Sequence, residues 1–145
     1  LMGVAGTRIR NLLVGVVVKE GHALLEEYPG DAWRGSFLRA IGGGLEFGET
    51  LTEGVAREFR EELGVEVTIR RSLGASDNIF TWQGVPAHEV VHVFEVSAPE
   101  LDAWPLDERR PIADQPNVAG WWPLASLAGR DVYPDGIVGV LAALR

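Results

Sequence analysis

Residues 42–65 read GGGLEFGETLTEGVAREFREELGV, three glycines set before a charged segment whose pattern fits only a helix. Val55, Ala56, Phe59 and Leu63 recur at the spacing of one helix face. Thr50 or Thr52 is placed to cap the start, and Gly64 is placed to end it. Each helical residue advances by about 100°, so Glu58, Glu61 and Glu62 share one arc beside the apolar one. Like charges at these separations cost a bare helix about 0.2–0.5 kcal/mol per pair. A hard divalent cation reverses the sign of that term, because Mg²⁺ takes oxygen ligands, keeps several waters and completes its shell with phosphate. The plainer reading of EFREE is a solvated helix face paired by Arg57 and Arg60.

The rest of the chain supplies strands. RNLLVGVVVK and HALLEEY flank Glu20–Gly21 and predict a first hairpin. PGDAWRGS reads as a loop, and FLRAI as a short extended piece that leads into the glycines. VEVTIRRSLG, NIFTWQG and HEVVHVFEVSA predict further strands, with a turn at Gly84–Pro86. Residues 99–120 carry four prolines among charges and predict an irregular connection; WWPLASL predicts a strand and turn, and GIVGVLAAL a C-terminal helix. Strands on both sides of a central helix make an α+β or α/β/α domain with a mixed sheet, and residues 1–145 suffice for a single domain with its own core.

Several functions are disfavoured. The chain has no cysteine, so any metal must rest on oxygen or histidine ligands, and the composition fits a reducing cytoplasm. The apolar N-terminal run is too short and interrupted to span a bilayer, and it lacks the pattern of a secretion signal; no membrane partner is expected. Met2 in second place suggests that Leu1 is foreign to the natural start. A formal charge of -8 opposes sequence-independent polynucleotide binding, so a phosphate ligand needs cations or a local basic pocket.

The spacing weakens the plain reading of EFREE. From Gly43, five residues lead to Glu49, seven more to Arg57, then Glu58, Phe59, Arg60, Glu61, Glu62, Leu63, Gly64 and Val65. This resembles the signature of the Nudix hydrolases, G-x5-E-x7-R-E-U-x-E-E-x-G-U with U bulky and apolar, and every fixed position is met. SFLRAIGGGLEFGET looks like the strand and loop that enter the box in family members, and WWPLASL resembles a Trp-bearing strand of the family. The resemblance implies an α/β/α sandwich and hydrolysis of a nucleoside diphosphate linked to another group, with Mg²⁺ or Mn²⁺ as cofactor. It implies Glu58 and Glu62 as principal metal ligands, Glu61 as a further ligand or the base acting on water, and the Gly42 carbonyl as another ligand. Arg57 and Glu49 are then a supporting pair in which the guanidinium fork orients a carboxylate. The box glycines, Gly43 among them, permit positive φ and let the backbone approach a ligand closely, their plain alternative being a turn.

Outside the box, Phe80 or Trp82 could stack on a base, although an aromatic strand residue is more often core. Arg39 could contact a phosphate, its plain alternative being a surface residue. Alternation places Glu89 and Glu95 on one face of HEVVHVFE and His92 on the other; Glu89 is the candidate for a recruited base or ligand, against a solvated strand face. ADQPNVAGWW has Asp114 and Asn117 where the family often has glutamates, so an extra ligand from that region is not expected. The partner expected is a small nucleotide; a homodimer is compatible with the apolar strands, though nothing marks an interface. A diphosphate isomerase of the same fold needs a catalytic cysteine, which is absent. A nucleotide-binding module without activity usually loses box glutamates, and all are present here.

Overall fold

Along the first strand, β1 (Ile9–Val16), successive side chains go to two different cores. Leu12, Val14 and Val16 pack with Phe37, Leu38, Trp122 and Leu141, whereas Leu13 packs with Ile41, Val55, Phe59 and Trp121. The period of two along an extended chain is the cause, and a strand buried on both faces needs the unbroken apolar run found here. The computed structural model describes residues 8–144; Leu1 and Met2 lie outside the described residues.

β1 belongs to a four-stranded sheet in the order β5 (Ile41–Gly44), β1, β7 (Val85–Ser97), β6 (Thr68–Trp82). It runs antiparallel to β5 and parallel to β7. The six-stranded second sheet runs β10 (Val132–Tyr133), β4 (Phe37–Arg39), β3 (His22–Tyr28), β9 (Val118–Pro123), β8 (Arg110–Pro111), with β2 (Val18–Lys19) on β3. α1 (Leu51–Leu63) contributes Val55 and Phe59 to one core, joined there by Leu101 of the short α2 (Pro99–Ala103). α3 (Ile137–Ala143) puts Ile137 and Leu141 into the other. The class is α+β with mixed sheets, as the sequence predicts, and the strands divide between two sheets.

Local differences have local reasons. The expected first hairpin splits at Val17: β1 leaves for β7, and only β2 folds back on β3 across Glu20–Gly21, both at positive φ. Lys19 ties β2 down by donating to the carbonyls of Leu101 (2.9 Å) and Asp102 (3.0 Å). NIFTWQG is not a separate strand, because two register shifts between Ile69 and Gly74 let β6 run on to Trp82. The turn to β7 falls on Gln83–Gly84. Residues 99–120 hold α2 and β8 within the irregular connection, and Trp104 in that connection is fully buried.

α1 begins at a capping box, with the Thr50 hydroxyl accepting from the Glu53 N–H and the Glu53 carboxylate accepting from the Thr50 N–H. It ends at Gly64, whose φ of 69° suits glycine and whose N–H donates to the Arg60 carbonyl. Phe59 fixes the roll of the helix: a Cβ at Gly15 would lie 2.3 Å from its ring. Burying Val55 and Phe59 contributes about 1.5–3 kcal/mol each.

Candidate active site

With Phe59 turned inward, the adjacent arc of α1 is carried to the rim of the core. Glu58 and Glu62 are 7% and 6% exposed, whereas Glu61 faces outward. The three line a cavity of about 430 Å³ with Ala113, Asp114 and Gln115. The Ala113 N–H donates to the Glu62 backbone carbonyl (3.2 Å), which docks this loop against the last turn of α1. Asp114, in the stretch from which no ligand was expected, thereby adds a carboxylate to the cavity wall.

Arg57 organises the first turns of the site. Its Nε donates to Glu49 Oε2 (2.7 Å), and its Nη2 to Glu49 Oε1 (2.8 Å) and the Gly44 carbonyl (3.0 Å). Its Nη1 donates to Glu58 Oε1 (3.0 Å) and Glu61 Oε1 (3.2 Å). The fork holds the Glu49 carboxyl down at about 2, against an ordinary 4.5. Burial acts oppositely on Glu58, whose carboxyl is raised with partial relief from Arg57. Burial also raises Glu62, and the neighbouring Glu26 and Glu58 charges add to it.

The three consecutive glycines act through space, whereas Gly48 and Gly64 of the same motif take positive φ, 86° and 69°. None of Gly42, Gly43 and Gly44 has a positive φ. A Cβ at Gly42 would sit 1.8 Å from the Leu13 carbonyl oxygen, inside the β1–β5 pairing. A Cβ at Gly43 would stand 2.5 Å from both oxygens of Glu58.

A carboxylate missed in the sequence lies beneath Glu62. Glu26 of β3 is fully buried; its Oε1 accepts from Asn117 Nδ2 (2.5 Å) and pairs with Arg39 Nε (3.2 Å). Burial raises its carboxyl against the pull of Arg39 and Asn117. The signal was available: Leu24 and Glu26 share a face of β3, and Leu24 is core. Arg39 is 6% exposed, so it is not a surface residue.

The remaining candidates fall elsewhere. Glu89 is 1% exposed, accepts from the Tyr133 hydroxyl and pairs with Arg10 (3.6 Å), which rules out a solvated strand face. Burial, then the bond to Glu89, raises the Tyr133 hydroxyl. Phe80 packs edge-on against Tyr133 at 5.9 Å. Trp82 packs against Tyr28 and Phe37 and lines another cavity with Asp31, Trp33 and Arg34, sharing no lining residue with the glutamate cavity.

Hard oxygen donors, two of them on buried carboxylates of like charge, fit a divalent cation, and the buried Glu62 Oε1 has no hydrogen-bond partner. Among the described residues no three acidic or histidine side chains converge as a ligand set, and Arg57 pairs with both Glu58 and Glu61. No described helix is long and apolar enough to cross a membrane.

The NAD-capped RNA hydrolase NudC of Vibrio vulnificus is 41% identical over 68 residues, which are 47% of this chain and 25% of that protein. The chain thus spans about a quarter of the length of this curated relative. Among solved structures, the E. coli ORF135 protein superposes with a TM-score of 0.66 at 17% identity, covering 95% of this chain and 91% of that one. A MutT Nudix hydrolase from Burkholderia pseudomallei superposes at 0.64 with 22% identity, covering 91% and 96%. These likenesses establish the fold. The NUDIX domain family model matches residues 10–137, from β1 to the start of α3, and by that match the chain belongs to the Nudix family.

Proposed function

We propose that the chain hydrolyses the diphosphate linkage of a nucleoside diphosphate derivative, with Mg²⁺ as cofactor and Mn²⁺ able to replace it. The observation that carries this is the cavity shared by Glu58, Glu61 and Glu62, with the Arg57–Glu49 fork bound to its rim. Glu58, Glu62 and the Gly42 carbonyl would hold the cation, with Glu61 as a further ligand. A bound cation neutralises the diphosphate and lowers the pKa of water. Glu61, outward-facing on the cavity wall, would accept a proton from the attacking water. Arg57 fixes the orientation of Glu58, and Gly43 leaves room for its carboxylate. Phe80 and Trp82, each half-buried, remain the proposed substrate contacts away from the glutamates, whereas Arg39 and Glu89, buried in ion pairs with Glu26 and Arg10, would support the site rather than meet substrate.

The partner proposed is a small nucleotide, and the compartment proposed is the cytoplasm. The name of the NudC relative favours one widening: a capped RNA presents its diphosphate at a chain end, so the charge of -8 does not bar it from the site. A second copy of the chain is the remaining partner, measurable by sedimentation.

The test is a product-release screen with Mg²⁺ and Mn²⁺ over nucleoside triphosphates (oxidised ones included), nucleoside diphosphates, diphosphate sugars, dinucleoside polyphosphates, dinucleotide coenzymes and a capped oligonucleotide. Cleavage of one class, abolished by EDTA and lowered at least 100-fold by Glu62→Gln in a folded protein, is the expected result. A Glu62→Gln variant turning over at the wild-type rate in saturating Mg²⁺ would refute the assignment. Nucleotide binding without cleavage would turn the reading to an inactive binding module.

A further inference from the structure

Glu26 is a carboxylate that hydrogen bonding uses by halves. Asn117 Nδ2 and Arg39 Nε meet the same oxygen, Oε1. Oε2 is buried and has no hydrogen-bond partner. Glu62, 6% exposed, likewise keeps a buried Oε1 with no partner, and the two side chains interact directly. With both groups ionised each only accepts, so neither satisfies the other unless a proton or a cation lies between them. An unpaired buried acceptor is costly, and a pair of them more so.

The face of β3 explains the encounter. Glu26 follows Leu24 by two residues and points to the same core as Phe59, on whose helix Glu62 sits. Glu26 lies opposite Arg39 on β4 and Ala119 on β9, so it is held from two strands and stays in place when its free oxygen is engaged. Arg39 Nε meets Oε1, and the buried Oε2 accepts no hydrogen bond.

We infer that Glu26, outside the box, is a ligand for the divalent cation held by Glu62, contributing Oε2 directly or through one water. The inference rests on the metal-dependent reading of the site. Two anionic oxygens with water and substrate phosphate filling the remaining positions match what Mg²⁺ and Mn²⁺ accept.

The experiment is Mn²⁺ binding followed by electron paramagnetic resonance, without substrate, together with melting temperatures in EDTA and in Mn²⁺. It compares wild type, Glu62→Gln, Glu26→Gln and, as a charge control on the same strand, Glu27→Gln. Glu26→Gln keeps an oxygen for Asn117 and Arg39 and turns an amide donor toward Glu62. Its ion-free melting temperature should equal or exceed that of wild type, while its Mn²⁺ affinity falls at least tenfold and Glu27→Gln binds as wild type does. Wild-type Mn²⁺ affinity in Glu26→Gln, with Glu62→Gln impaired, overturns the inference and leaves the proposed function standing. So does lost affinity accompanied by a lowered ion-free melting temperature, the mark of a merely structural role, or equal loss in Glu27→Gln. Absence of Mn²⁺ binding in wild type overturns both readings. Should Glu26→Gln not fold, Glu26→Asp keeps the charge but draws the oxygen back by a methylene: weakened Mn²⁺ binding supports the inference, and unchanged binding ends it.

Discussion

Glu49 and Arg57 lie eight residues apart yet form a two-bond fork, and a double-mutant cycle can measure what that fork contributes. The perturbations are Glu49→Gln, Arg57→Ala and their combination, unfolded by urea at pH 7 in EDTA. Hydrogen bonds to charged groups contribute about 1.5–3 kcal/mol each. Independently, holding the Glu49 carboxyl at about 2 instead of 4.5 corresponds to about 3 kcal/mol. Both side chains keep 14% of their surface in solvent, which screens the pair, so we expect a coupling of about 2 kcal/mol. With a slope of about 2 kcal/mol per M urea, this moves the midpoint by about 1 M. The sign with pH follows from a depressed carboxyl: the coupling is complete above 4.5 and is lost as pH falls toward about 2. A coupling below about 0.5 kcal/mol at pH 7 would refute the reasoning, because the fork would then behave as an ordinary exposed ion pair.

Glu58 and Glu62 carry the opposite sign. Their carboxyls are raised when folded, that of Glu62 to about 9, so the ion-free protein should lose stability as pH rises above about 4.5, the Glu62 part of the loss running to about 9; thermal melts in EDTA measure this, and Glu62→Gln should flatten the slope. Mn²⁺ should raise the melting temperature most at the alkaline end of that window, by linkage. Gly43→Ala should displace the Glu58 carboxylate and weaken Mn²⁺ binding about 10–100-fold, read by the same resonance titration, with stability lowered by no more than about 2 kcal/mol. Phe59→Ala should cost about 3–5 kcal/mol in urea unfolding, since the ring is fully buried and Gly15 cannot fill the space.

What could be read in the sequence was what is local along the chain. The capping threonine, the terminal glycine, the inward Phe59 and the arc of Glu58, Glu61 and Glu62 all follow from one helix and its period. Glu49 and Arg57 are near enough in sequence for their pairing to be set by the same loop and helix. Glu26 was not legible as a neighbour of Glu62, because that contact exists only once β3 has taken its place between β4 and β9. The same holds for Tyr133 on Glu89, whose strands lie in different sheets. The predicted hairpin failed for a related reason: residues 10–19 carry a strand's composition, but partner choice was decided by the distant β7. The positive φ of Gly48 and Gly64 was legible, but the crowding of Gly42 by Leu13 and of Gly43 by Glu58 becomes visible only in three dimensions.

Because alternate residues of β1 feed both cores, neither half of the molecule can melt while the other keeps that strand. The helix bearing the glutamates is anchored through Leu13 and Phe59, and the opposite layer through Leu12 and Val14 on the same eight residues. Amide exchange in α1 should therefore slow or quicken in step with that of β1, as one cooperative unit. A mutation in the layer around Leu141, in the core that does not hold Phe59, would then reach the site as a change in how often the whole scaffold opens rather than as a shift in its geometry.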